Sequence, residues 1–143
     1  MRLKIMRLDP TIALPSYGTS ESAGFDLAAA QDVIIAPAAI ALVRTGLVIE
    51  VPTGYFLAIF ARSSTPLKHG LVVANGVGVI DPDYSGPTDE VMILLLNVTN
   101  HEVQVRRGDR LAQGIVLPAP QITWEEVAES GRAARGGFGA TGQ

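Results

Sequence analysis

Turn-forming residues recur so often in this chain that long helices have nowhere to run. Fifteen glycines and nine prolines are spread over 143 residues, and many fall between short apolar runs. Leu14-Pro15-Ser16, Pro52-Thr53-Gly54, Asn75-Gly76, Asp81-Pro82, Ser85-Gly86-Pro87 and Arg107-Gly108-Asp109 are the clearest examples. Proline fixes φ and lacks an N–H, while glycine reaches backbone angles that other residues avoid, so such pairs end strands and make turns. The runs between them have strand length. They are Leu3–Leu8, Asp32–Ala36, Ala39–Arg44, Leu47–Val51, Gly54–Phe60, Leu71–Val73, Val91–Asn97, Val103–Val105 and Arg110–Leu117. The pattern predicts an all-β domain of sandwich or barrel type. One short helix is expected over Trp124–Glu129, with Thr123 as N-cap and Glu126 closing a capping box. A further helical turn fits Ser64–Lys68.

Hydrophobic residues make up 48% of the chain and charged residues 17%, which suits a packed core and argues against disorder. The length suits one domain. We expect a single β-rich unit over residues 1–130 and a flexible C-terminal tail over 131–143. Cysteine is absent, which excludes disulfides, a thiolate nucleophile and thiolate-held metals. His69 and His101 are the two histidines, too few for a poly-His metal site. A net charge of −3 offers no basic field for a nucleic-acid polymer. Arg2, Lys4 and Arg7 are scattered through the first residues, unlike a secretory signal, and the apolar run Val33–Val43 is cut by Pro37. The expected location is cytoplasmic, with no membrane partner.

Five stretches carry chemistry. In Ser22-Ala23-Gly24-Phe25-Asp26-Leu27-Ala28 one carboxylate sits among small and apolar residues. Asp26 there is either a turn residue bonding its own backbone or a partly buried acid that orients a cation. In Ala61-Arg62-Ser63-Ser64-Thr65-Pro66 a guanidinium and two hydroxyls follow an apolar strand. That set can bind phosphate, and Ser63 or Ser64 can equally cap a helix. Asn75 to Gly86 reads as a hairpin whose backbone approaches a ligand, with main-chain groups of Val79 and Ile80 able to read a flat base. Asp81 stands at its strand end, where a carboxylate can activate water, and Tyr84 offers a flat apolar face. The bland alternative is an Asp-Pro turn with a packing tyrosine. Arg106 to Gln113 is a charged turn entering an apolar strand, and Gln113 is a polar amide that needs partners if buried. Gly131–Gln143 holds five glycines, Arg132, Arg135 and Phe138, and no acid. It is a frayed end or a tail that orders over an anion.

In this order and spacing the stretches resemble the five motifs of the trimeric deoxyuridine triphosphatases, the dUTPases. The resemblance spans Ala23 to Gly142 and rests on Ala-Gly-Phe-Asp-Leu, Ala-Arg-Ser-Ser, Gly-Val-Ile-Asp-Pro-Asp-Tyr-Ser-Gly, Arg-Gly-Asp-Arg-Leu-Ala-Gln and Gly-Gly-Phe-Gly-Ala-Thr-Gly. It implies a jelly-roll-like β fold and hydrolysis of dUTP to dUMP and pyrophosphate, with Mg²⁺ held mainly by the triphosphate. By the same resemblance, Asp81 is the general base that deprotonates the attacking water. Asp26 meets the metal through water. Arg62, Ser63, Ser64 and Gln113 contact phosphates. Asn75, Val79, Ile80 and Asp81 belong to the hairpin that receives uracil, and Tyr84 lies under the deoxyribose. Gly137, Phe138, Gly139, Ala140 and Thr141 close over the nucleotide. The family assembles as homotrimers with shared sites.

Two departures stand out. Ten residues, Pro87–Leu96, separate Gly86 from Asn97, about three more than the family usually has. The arginine that usually lies five residues before the tail phenylalanine is replaced by Ala133, so Arg135 is expected on the γ-phosphate, with Arg132 as the alternative. Two rival functions remain. A dCTP deaminase shares the fold but needs an acid in the strand after the hairpin, where Val91–Leu96 has none. A non-catalytic nucleotide-binding β-domain would have less use for Asp81, Asp26, Arg62 and Gln113 together.

Overall fold

The structure, a computed structural model, describes residues 1–137. Eleven strands run in chain order: β1 Lys4–Arg7, β2 Phe25–Ala28, β3 Val33–Ile35, β4 Ile40–Arg44, β5 Leu47–Glu50, β6 Tyr55–Ala61, β7 Leu71–Val73, β8 Gly78–Ile80, β9 Met92–Asn97, β10 Val103–Val105 and β11 Arg110–Pro118. They form four sheets, ordered β1-β5, β10-β3, β2-β11-β6-β8 and β4-β9-β7. All named pairings are antiparallel. This is the all-β architecture that the turn pattern led us to expect, of the jelly-roll-like kind that the motif resemblance implied.

The core lies between the sheets. Leu27, Val43, Leu57, Leu71, Val91, Ile93, Leu95, Val105 and Leu111 are fully enclosed. In β9 the inward set is Ile93, Leu95 and Asn97, while Met92, Leu94 and Leu96 point the other way and stay half-exposed. Burying one leucine contributes about 2 kcal/mol, so this alternation is what holds the strand in register. Asn97 is the polar member of the inward set and is fully buried. Its amide donates to Ile35 O at 2.9 Å and His101 O at 2.8 Å, and its Oδ1 accepts from the N–H and hydroxyl of Thr99. It ties β9 to β3 and closes the following turn.

Two local expectations are corrected. The helix predicted over Trp124–Glu129 does not form, and those residues are exposed irregular chain. Six residues cannot repay helix nucleation without a surface to pack on. Trp124 is 89% exposed and Val127 61%, so no such surface meets them among the described residues. The helical turn expected at Ser64–Lys68 does form, at Thr65–His69, where Pro66 occupies the first turn and left-handed Gly70 ends it. The second correction concerns Asn75-Gly76. The turn is tight, with Gly76 at φ 73° and its N–H on Val73 O. The strands it joins nevertheless pair outward into different sheets, β7 with β9 and β8 with β6. The segment is a crossover between sheets rather than a laddered hairpin.

Candidate active site

Three neighbouring strands bring the first, second and fourth motifs together. Asp26 in β2 lies opposite Gln113 in β11, and Gln113 lies opposite Phe60 in β6. Side chains alternate across a strand, so Asp26, Gln113 and Arg62, two residues beyond Phe60, emerge on one face. The pairing shifts register between Arg110 and Ala112, a bulge that swings Arg110 toward β2.

Asp26 is the electrostatic centre of this face. Its Oδ1 is 2.8 Å from Arg62 Nε, and its Oδ2 is 3.0 Å from Arg110 Nη1. Arg62 also donates through Nη1 to Arg110 O at 3.0 Å. A single carboxylate therefore fixes two guanidinium groups and leaves the cluster with a net positive charge. Thr65, fully buried, anchors the turn after Arg62 by donating its hydroxyl to Leu111 O at 2.6 Å. Ser64 holds the N-cap position, yet its hydroxyl makes no capping bond. The amide of Gln113 donates to Ala61 O at 3.2 Å. A Cβ on Gly24 would press against Gln113 Oε1 at 3.0 Å and Gly114 O at 3.2 Å. The glycine of the first motif thus makes room for the amide of the fourth.

The third motif occupies the other end of the same sheet. β8 is an edge strand, paired with β6 on one side only. Its free edge presents main-chain N–H and C=O groups to solvent, the kind of edge a planar base can pair with. Ile80 lies opposite Leu57, so Asp81 falls beside Phe56. Arg62 leaves β6 six residues further on, about 20 Å away at the rise of a strand. Asp81 is exposed and borders a crevice of about 450 Å³ walled by Thr53, Tyr55, Phe56 and Pro120. Tyr84 is 40% exposed and donates its hydroxyl to Glu90 O at 3.2 Å. Asn75 and Val79 are also exposed.

The structure thus gathers Asp26, Arg62, Ser63, Ser64 and Gln113, and holds Asn75, Val79, Ile80, Asp81 and Tyr84 apart from them. Arg132, Arg135 and Gly137 lie on exposed chain. Phe138, Gly139, Ala140 and Thr141 fall outside the described residues. Two participants escaped the reading of the sequence as individual residues: Arg110, which had been read only as part of its motif, and Glu90. Arg110 announces itself only through the register of β11 on β2. Glu90 is 4% exposed and bonded to Arg44 and Gly46. Its signal was the acid itself, placed directly before an apolar strand. Elsewhere, the Asp9 carboxyl is held below its ordinary value of 3.8, first by the Thr11 hydroxyl and then by the Thr11 N–H, with a weaker contribution from Arg107. Among the described residues no helix is long and apolar enough to cross a membrane.

The family model for dUTPase matches residues 11–142. A relative from Nautilia profundicola, the deoxyuridine 5'-triphosphate nucleotidohydrolase of that bacterium, is 42% identical over 146 residues and aligns with all of both chains. The dUTPase of Streptococcus mutans superposes with a TM-score of 0.77 at 35% identity, covering 85% of this chain and 98% of the other. The dUTPase of Staphylococcus bacteriophage 80alpha with dUpNHpp gives a TM-score of 0.86 at 22% identity over 99% of each chain, which speaks for the fold. Family model, full-length relatives and the cluster around Asp26 agree, and the chain belongs to the dUTPase family.

Proposed function

We propose that the protein hydrolyses dUTP to dUMP and pyrophosphate by attack of water on the α-phosphorus. The observation that carries this reading is the Arg62–Asp26–Arg110 cluster beside Ser63 and Ser64, in a chain of this family. Phosphoryl transfer asks a protein mainly for positioning and for positive charge on the developing oxyanions. Asp26 holds the Arg62 fork in place before substrate arrives, so little ordering is left to do on binding. Ser63, Ser64 and Gln113 add neutral donors along the phosphate chain. Mg²⁺ enters with the triphosphate as part of the substrate. Among the described residues no group of three His, Cys, Asp or Glu side chains gathers to hold an ion alone. That donor set fits a hard cation carried on phosphate oxygens, with Asp26 reaching it through water.

Asp81 serves as the base that takes the proton of the attacking water. Uracil pairs with the free edge of β8, and Tyr84 lies under the sugar, leaving no space for a 2′-hydroxyl. Cytosine would set donor against donor there, at about 1–3 kcal/mol for each group left unpaired. The tail from residue 131 onward, with Arg135 on the γ-phosphate and Gly137 to Thr141 over the nucleotide, excludes water when it closes.

One water cannot touch Asp81 and a phosphate held by Arg62 within a single protomer, because the two stand about 20 Å apart along β6. The site is therefore built between chains, and we infer a homotrimer. A second observation supports assembly. The outward face of the β4-β9-β7 sheet aligns Leu42 with Leu94, and Ile40 and Val72 with Leu96. Ile40 is 59% and Leu42 58% exposed. A sheet apolar on both faces needs a cover, and a second copy supplies one of matching shape.

The test is product analysis with dUTP, UTP, dTTP and dCTP in the presence of Mg²⁺. Pyrophosphate from dUTP alone is the expected result. Ammonia from dCTP would replace this reading with a deaminase, and neither product would leave a binding domain.

A further inference from the structure

The loop between β8 and β9 is anchored at its far end by a buried acid. Glu90, at the end of Pro87-Thr88-Asp89-Glu90, is 4% exposed. Its Oε2 accepts from Arg44 Nε at 2.7 Å and its Oε1 from Gly46 N at 2.6 Å. The next residue, Val91, donates to Leu47 O at 2.8 Å and accepts from the buried Thr45 hydroxyl. The loop end is thereby locked to the β4–β5 junction from both sides. Gly46 itself stands at φ 69°, in the left-handed region, with Ile12 filling the space a Cβ would need. The junction cannot shift without disturbing the core.

Onto this fixed point the loop fastens its aromatic. Tyr84 Oη donates to Glu90 O at 3.2 Å. Asp89 Oδ2 accepts from Gly86 N at 2.7 Å, and the Ser85 hydroxyl donates to Pro82 O at 3.3 Å. Tyr84 is 40% exposed, so packing does not enclose its ring, and the bond at its hydroxyl restrains the tilt.

We propose that Glu90 is a positioning residue for sugar discrimination: anchored by Arg44 and Gly46, it holds the Tyr84 ring through its own carbonyl at the tilt that excludes a ribose 2′-hydroxyl. This rests on the reading of Tyr84 as the floor of the sugar pocket. A freed ring can swing away and admit UTP. The anchored loop end thus supplies by tethering a selectivity that the exposed ring would otherwise lack.

The test measures kcat/KM for dUTP and UTP on the assembled full-length protein. Tyr84→Phe removes the tether and keeps the ring. Glu90→Gln keeps the shape of the anchor and removes its charge. Each is expected to lower the dUTP-to-UTP ratio of kcat/KM about tenfold, through a gain on UTP, while circular dichroism shows the fold retained. A merely structural role would lower both substrates equally and leave the ratio unchanged. If Glu90→Gln fails to fold, Tyr84→Phe decides alone. Tyr84→Ala separates the two claims. Loss of discrimination in Tyr84→Ala with a native ratio in Tyr84→Phe overturns the tether and leaves the sugar-pocket reading standing. A native ratio in both overturns both.

Discussion

The Asp26 carboxylate lies 2.8 Å from Arg62 Nε and 3.0 Å from Arg110 Nη1, so one acid sets the direction of two bases. Asp26→Asn keeps the shape and loses the charge. Both guanidinium groups then gain freedom, and phosphate binding has to order them. We expect kcat/KM for dUTP to fall about 100-fold, mostly through KM. Stability falls by about 1–2 kcal/mol, between the values for surface and buried pairs. Steady-state kinetics and urea melts read the two effects separately.

Asp81→Asn should retain nucleotide binding and lose about 10²–10⁴-fold in turnover, the usual contribution of a general base. Near-normal turnover would remove Asp81 from that role. Complementation tests the shared site directly. Asp81→Asn and Arg62→Ala chains, each inactive alone, should regain activity when unfolded and reassembled together, because some sites then draw both groups from intact donors. Two inactive parents that stay inactive in a verified mixed assembly would place the two residues in one chain's site.

Deleting Gly136–Gln143 should leave the melting temperature within about 2 °C of the full chain, since Gly136 and Gly137, the described residues it removes, are exposed. Turnover should collapse. A fall in melting temperature of 10 °C or so would instead make the tail part of the structure.

Leu42→Glu tests the second apolar face of the β4-β9-β7 sheet. Leu42 is 58% exposed, so the charge costs an isolated protomer little, whereas an interface would have to bury it. Sedimentation or light scattering should show smaller species and lost activity. A variant that remains fully assembled would put the interface elsewhere.

Asn97→Leu preserves volume but strands Ile35 O and the Thr99 N–H, while His101 O keeps the Thr99 hydroxyl at 2.9 Å. With each orphaned group costing about 1–3 kcal/mol, the domain should lose at least about 2 kcal/mol. A loss below 1 kcal/mol would show that the turn at Val98–Glu102 rearranges to satisfy itself.

Much of this architecture is readable before folding. Leu71–Val73 and Val103–Val105 emerge as strands with their bounds unchanged, because turn residues close both ends and branched apolar side chains fill the middle. Phe25–Ala28 is harder to see, since its partners β11 and Tyr17 are remote or irregular and small residues dilute its pattern. The Trp124–Glu129 segment carries a sound capping signal and no helix, which shows that a cap cannot substitute for a surface to pack on. In the site, Asp26, Arg62 and Gln113 were legible as residue types, and their convergence was not. It depends on which strands become neighbours, a long-range choice that local pattern does not encode. The roughly 20 Å between Asp81 and Arg62 is of the same kind. It follows from the register of β8 on β6, which no inspection of either strand alone reveals.

The shared site we propose would have a cost for a cell at low abundance. In it, a protomer that has lost its neighbours keeps every residue the chemistry uses and can perform none of it. Catalytic output then scales more steeply than linearly with the number of molecules made, so dilution works as a silencer and a modest rise in expression as a threshold.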